Sequence, residues 1–207
     1  MTCAADLHRA AGMAYRVLAA RKIRSLPIDP LPILRACRNT VVMTVEEAAD
    51  ACGVHVAALE REFAEADALT LRRQTEETME YIIVYRPGGN PARLRFTLAH
   101  ELGHRILGHD SGSAAEEREA DCFASHLLCP EPVIRRLRRR FGRLSAEHVA
   151  AACYVSLSCA RMAGMRKAEL GGNMYFRQVD ELLAEAVEKE KVVIRQRGIH
   201  ELPPKGE

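Results

Sequence analysis

The chain has 207 residues, 48% of them hydrophobic and 28% charged, with a formal net charge of +2, which suits one ordinary buried core and excludes a chain disordered throughout. Asp6, Arg9, Arg16, Arg21 and Lys22 interrupt the opening alanines, so no signal-peptide core is read there, and no run approaches the roughly 18 apolar residues of a membrane span. Seven cysteines, at 3, 37, 52, 122, 129, 153 and 159, are odd in number and contain no Cys-x-x-Cys pair; this argues against a disulfide framework or a zinc ribbon and for a cytoplasmic protein whose cysteines are small buried hydrophobes.

Residues 2 to 23, rich in Ala and Leu, predict a helix. Leu26-Pro27-Ile28-Asp29-Pro30 stops it, because each proline disfavours helical geometry in the residue before it. A short helix is expected over 31 to 38. Residues 44 to 67 read as two helices joined at Cys52-Gly53-Val54, where Gly53 supplies a tight turn. Strand character follows over 69 to 74 and 79 to 86, the second through Tyr81-Ile82-Ile83-Val84-Tyr85, with a polar hairpin between them. Pro87-Gly88-Gly89-Asn90-Pro91 is a loop. A helix from about 93 to 107 comes next, then a linker over 108 to 113 and a second helix over 114 to 128 that Pro130 ends. Helical stretches near 131 to 141, 145 to 153, 156 to 167 and 177 to 195 complete the chain. The expectation is an α+β, mainly helical fold with a small antiparallel sheet. Its expected divisions are an N-terminal helical part of the core (1–43), an acidic helix-turn-helix-like insertion (44–67), the core itself (68–141) and a C-terminal helical region (142–207).

The small net charge conceals two opposed blocks. Residues 44 to 67 hold seven acids against Arg61 alone, and residues 135 to 167 hold nine bases against Glu147 alone. Each block contains helix-turn-helix spacing. In the first, Ala49, Gly53, Val54 and Leu59 occupy the small and apolar positions, yet the would-be reading helix offers Glu60, Glu62 and Glu65 to a polyanion. In the second, Ala150, Val155 and Ala160 fit, Tyr154 stands where the turn glycine is usual, and Arg135-Arg136-Leu137-Arg138-Arg139-Arg140 precedes the pair. The plain alternatives are a solvated basic helix face, or neutralisation by the acidic block within the molecule.

His100-Glu101-Leu102-Gly103-His104 speaks directly about chemistry. Positions i and i+4 share a helix face, so both imidazoles can point at one ion, while Glu101 sits around the corner, placed to act as general base on a water there. A zinc hydrolase wants three protein ligands and one open position. Glu117 and Asp121 on the next helix are also spaced i, i+4, which suggests that Glu117 completes the ligand set and Asp121 accepts the free ring N–H of a ligand histidine. Glu119 lies about 200° around the helix from Glu117 and is the fallback ligand if the register differs. A three-histidine site would take its third histidine six residues after the second. His109 comes one residue too early for that and is read as a solvated or pocket-rim histidine, and His126 as a partly buried helix residue.

From Arg95-Phe96-Thr97-Leu98-Ala99 through that motif, and again over Glu117-Arg118-Glu119-Ala120-Asp121-Cys122-Phe123-Ala124-Ser125-His126-Leu127-Leu128-Cys129-Pro130, the chain resembles the ImmA/IrrE family of metallopeptidases, which are gluzincin-like. Leu26-Pro27-Ile28-Asp29-Pro30 resembles an upstream family element. The resemblance implies a zincin-like core and a zinc-dependent endopeptidase that cuts a transcriptional repressor, in stress response or mobile-element control. Zinc is the implied ion, and manganese or iron suits the same donors. A strand edge can hold an extended peptide for attack, and 79 to 86 is the candidate, a buried core strand being its alternative. Three departures stand out: Cys129 where methionine is usual, His126 where a small or acidic residue is common, and residues 44 to 67 as an insertion. The competing expectation is a DNA-binding or repressor-binding regulator that uses the basic 135–167 region, its metal site structural or inactive.

Overall fold

The structure, a computed structural model, describes residues 4–63, 66–75, 78–142, 144–166 and 174–200, with side chains up to Lys189. Cys3, Glu65, Arg143 and Lys167 lie outside the described residues. Two compact units form, one from Met1–Ala10 with Asp29–Ala124 and the other from Ala11–Ile28 with Ser125–Glu207.

The first unit is built on three strands, β1 (Thr40–Thr44), β2 (Ala68–Gln74) and β3 (Met79–Tyr85), in the order β1-β3-β2. The expected hairpin is present, with Ala68 opposite Tyr85 and Gln74 opposite Met79. β1, whose Thr-Val-Val-Met-Thr was not among the expected strands, adds in parallel, so the sheet is mixed and not purely antiparallel. β3 is therefore central, hydrogen-bonded on both sides, and the expectation that 79 to 86 offers a free edge is corrected; the edges are β1 and β2.

Alternation along the strands divides the sheet's contacts. Ile82 and Val84, with Met43 and Leu69 beside them, pack on α3 (Val45–Cys52) and α4 (Val56–Phe63) through Val45, Ala48 and Phe63. α3 and α4 thus cover one sheet face. Thr44 ends β1 and caps α3: its hydroxyl accepts the Glu47 N–H at 3.2 Å, and the Glu47 carboxylate accepts the Thr44 N–H at 2.7 Å. α3 closes on Gly53 at φ 66°. Glu46, Glu47, Asp50, Glu60 and Glu62 stay exposed. The opposite sheet face looks to α5 (Pro91–Leu107), where the Arg105 guanidinium lies 4.3 Å from the Tyr81 ring centre. α2 (Pro30–Arg35) precedes the sheet, started by Asp29, which accepts the Leu31 N–H at 3.0 Å.

The second unit holds α7 (Glu131–Phe141), α8 (Ala146–Cys153), α9 (Leu157–Met165) and α10 (Met174–His200), with part of α1 (Leu7–Ala20) and of α6 (Ala114–Leu128). α7 buries Val133, Ile134 and Leu137, and three of its arginines meet groups on α10. Arg136 makes two hydrogen bonds to Asp180, at 2.7 and 2.8 Å; Arg140 pairs with Glu188, and Arg135 lies over the Phe176 ring. α8 and α9 meet at Tyr154, held in the left-handed region at φ 51°, where a helix-turn-helix usually has glycine.

Tyr15 and His126 meet inside this unit. The Tyr15 hydroxyl accepts the Glu131 N–H at 3.2 Å and donates to His126 Nδ1 at 2.8 Å. Burial, helped by the Arg166 charge, pushes the His126 imidazole down to about 3. Above pH 6.5 the ring is neutral folded and unfolded, with no penalty. As pH falls from 6.5 towards 3 the unfolded chain takes up a proton that the folded one refuses, so stability drops by up to about 1.4 kcal/mol per pH unit. Urea midpoints measured between pH 7 and pH 4 should fall more steeply for the wild type than for His126→Asn; parallel curves would refute this.

Candidate metal centre

α5 is fixed at both ends. The Asn90 side chain accepts the N–H groups of Ala92 and Arg93, at 3.0 and 3.2 Å, with Pro91 in the first turn where its missing N–H costs nothing. Arg93 grips the buried Asp67 at 2.5 and 2.6 Å, and that hydrogen bonding holds the carboxyl below its usual range. The helix ends on Gly108 at φ 74°, a conformation glycine adopts without strain. α6 starts on a reciprocal cap: Ser113 accepts the Glu116 N–H, and Glu116 accepts those of Ser113, Ser111 and Asp110. The Ser111 hydroxyl contributes most to holding the Glu116 carboxyl down to about 2.

The two helices touch at Gly103. A Cβ there would stand 3.1 Å from Phe123 Cδ1 and 3.2 Å from both Cα and O of Ala120, so any other residue would push the helices apart by a few tenths of an ångström or shift those neighbours. It brings Glu117 and Asp121 opposite His104 and His100. His100 Nε2 and His104 Nε2 face each other at 2.8 Å, and the two Glu117 oxygens lie 3.3 and 3.4 Å from them. His100 turns its Nδ1 to Asp121 Oδ1 at 2.9 Å. Burial works to lower the His100 pKa, but the Asp121 hydrogen bond and the charges of Asp121, Glu101 and Glu117 together raise it. His104 is lowered, by burial and then by the His100 charge.

These donors fit a divalent ion. A tetrahedral centre with arms of about 2.0–2.1 Å separates its ligands by about 3.3 Å, and the two histidine nitrogens stand 2.8 Å apart with one Glu117 oxygen 3.3 Å from the first and the other 3.4 Å from the second. Two facing imidazole nitrogens also need a shared cation or proton between them. Among the described residues, His100, His104 and Glu117 are the group arranged to hold an ion. The Glu117 side chain is 52% exposed against 16% and 21% for the histidines, so the centre opens to solvent on the glutamate's side.

Glu101 stands beside this group with Oε2 at 2.5 Å from the Thr70 hydroxyl on β2. Burial raises its carboxyl above the ordinary range, against the pull of Thr70 and His100. Two expectations need correction. Glu119, the fallback ligand, is buried on another face of α6, with Oε2 at 3.1 Å from His109 Nε2. His109 is not solvated: it is buried, with Nδ1 at 3.0 Å from His104 Nδ1, on the side of that ring away from His100 and Glu117. Thr70 escaped the sequence reading. Its i, i+2 relation to Arg72 hints at a shared face, but nothing in the pattern says which helix that face meets.

Residues 49–163 match the sequence pattern of the peptidase family described as the IrrE N-terminal-like domain. The matched residues include the whole of the sheet's β2 and β3, the His-Glu-x-x-His helix α5 and the acidic pair on α6. The chain belongs to this ImmA/IrrE family of metallopeptidases. It is similar to the radiation response metalloprotease IrrE of Deinococcus radiodurans, 35% identical where the two align, over 30% of this chain and 23% of that protein. The match thus spans about a quarter of the curated relative's length. Among the described residues no helix is long and apolar enough to cross a membrane.

Metal analysis of purified protein should find one divalent ion per chain, lost in His100→Ala and in His104→Ala. A metal-free wild type with its full helical content, unable to take up zinc, would sink the assignment.

Proposed function

We propose that the chain is a zinc-dependent endopeptidase in which His100, His104 and Glu117 hold the ion, Asp121 orients His100 and Glu101 is the general base. The proposed substrate is a protein, a transcriptional repressor in stress-response or mobile-element control. The convergence of two Nε2 atoms and a carboxylate beside a half-buried, hydrogen-bonded glutamate carries this reading. The ion supplies Lewis-acid polarisation of a peptide carbonyl and acidifies water; manganese or iron would do the same on these donors.

The chain's own groups supply the remainder. Glu101 takes a proton from water and returns it to the leaving amine. A carboxyl raised by burial suits both halves of that cycle, since a base nearer neutrality also gives its proton back readily. The Thr70 hydroxyl fixes one Glu101 oxygen and leaves the other for water. Asp121 accepts the His100 Nδ1 proton and so keeps Nε2 free as a donor. β2 is an edge strand and carries Thr70, so an extended peptide pairing with it would lie beside Glu101.

The name of the relative, a radiation response metalloprotease, supports a stress-linked role. Among the described residues no cysteine is disulfide-bridged, which suits a reducing, cytoplasmic setting. The regulator reading loses support on α7, where Arg136 and Arg140 are already paired with acids of α10.

Incubated with candidate repressors, the wild type should cut and Glu101→Gln should be slower by about 10²–10⁴-fold with its metal retained. Thr70→Val should lose about tenfold in kcat, the worth of one hydrogen bond to a charged group. Equal cutting by Glu101→Gln and wild type would refute the general-base role, and the protein that Glu101→Gln traps would identify the substrate.

A further inference from the structure

We propose that His109 and Glu119 are positioning residues for the ligand His104, and that this buried pair sets how tightly the centre holds its ion. The inference rests on the metal-centre reading above and concerns the side of His104 that faces away from the ion.

The hydrogen-bond directions admit one consistent assignment. A ring nitrogen that gives its lone pair to a cation leaves the proton on the other nitrogen. With His104 Nε2 facing His100 and Glu117, the proton sits on His104 Nδ1 and must be donated. The partner at 3.0 Å is His109 Nδ1, which therefore accepts, and the His109 proton then sits on Nε2. That N–H points at Glu119 Oε2, 3.1 Å away. The other Glu119 oxygen accepts the Asp6 backbone N–H at 2.8 Å, and Arg9 Nη1 lies 3.6 Å from Oε2. Every donor meets an acceptor from His104 to the carboxylate.

The local fold holds this chain in place. Gly108, in its left-handed conformation, turns the backbone so that the N–H groups of Gly108 and His109 both donate to the His104 carbonyl at 3.1 Å. The His109 ring is thereby returned onto the His104 ring, their centres 5.0 Å apart. Arg72 on β2 donates to the carbonyls of His109 and Asp110, at 3.4 and 3.0 Å, and Arg9 donates to that of Leu107 at 2.8 Å. His100 is served differently, by an Asp121 side chain that is 59% exposed. His109 and Glu119 are each only 8% exposed, and a hydrogen bond shielded from water is the stronger one.

The test is the zinc dissociation constant of the full chain, read by competition with a chromogenic chelator. His109→Phe should bind zinc about 10–100-fold more weakly than wild type. His109→Gln should stay within a few-fold, because an amide can accept from His104 and donate to Glu119. Glu119→Gln should fall between them, since it offers one acceptor oxygen where the carboxylate serves two N–H groups. In zinc-loaded protein the His104 Nδ1–H proton resonance should exchange slowly in wild type and rapidly in His109→Phe. If His109→Phe does not fold by circular dichroism, Glu119→Gln decides by the same two readouts. Equal affinity in wild type and His109→Phe, or a loss in His109→Gln as large as in His109→Phe, would overturn the proposal. A wild type that takes up no zinc overturns the metal-centre reading, and with it this one.

Discussion

The close approach of α5 and α6 at Gly103 is the constraint on which the centre depends. With no side chain there, Ala120 and Phe123 of α6 come within van der Waals reach of the α5 backbone, and the vertical register of the two helices is set. That register alone decides which acids of α6 meet the histidines of α5. His100 meets Asp121 at one end, Glu117 meets both Nε2 atoms at the other, and Glu119, on another face of α6, is carried away to His109. A shift of two residues would exchange the half-exposed Glu117 for the buried Glu119, which already has partners. A side chain at 103 would therefore act on the ligand set through helix spacing, without touching a ligand.

Around that contact the polar groups sort by task. The two proposed ligand histidines meet different partners, His100 an exposed carboxylate on α6 and His104 a second histidine just past the end of its own helix. Glu101 is held from a third element, β2, by a hydroxyl that can donate to a carboxylate without neutralising it. The sheet is therefore part of the site and not only its support. β3, at the sheet centre, contributes Tyr81 to the packing of Arg105, while the edge strand contributes the group that touches Glu101.

Much of this was legible in the sequence because it is local. The i, i+4 pairs His100/His104 and Glu117/Asp121 depend only on helical period, and their helices were marked by Asn90-Pro91, Gly108 and Pro130. The preference for Glu117 over Glu119 as the candidate ligand rests on the shared face of Glu117 and Asp121. What the sequence hid depends on contacts between distant segments. Thr-Val-Val-Met-Thr at 40 to 44 has strand chemistry, but its short run between a helix and a capping threonine does not announce a parallel neighbour forty residues later. Its presence turned β3 from an edge into the centre. His109 was misread for a related reason: its spacing excluded it as a ligand, and a polar residue after a helix-ending glycine is ordinarily solvated. Only the tertiary fold shows Glu119 and the Asp6 N–H closing over it.

The helix-turn-helix patterns show how packing and function share a signature. Small and apolar residues at those spacings are required wherever two short helices cross at a tight turn, whatever they serve. In α3 and α4 the pattern supplies the cover of a sheet face, with Val45, Ala48 and Phe63 inward and five acids outward. Such a surface repels phosphate. The α8–α9 pair follows a run of arginines, but charge binds a polyanion only while it is free to exchange counterions for phosphates. Arg136 is committed to Asp180 by two hydrogen bonds and Arg140 to Glu188, so a nucleic acid would have to displace partners already within reach. Of the described arginines on α7, Arg139 is exposed, and one exposed cation is a weak electrostatic footprint. Arg135, Arg136 and Arg140 thus fasten α7 to α10 within the second unit.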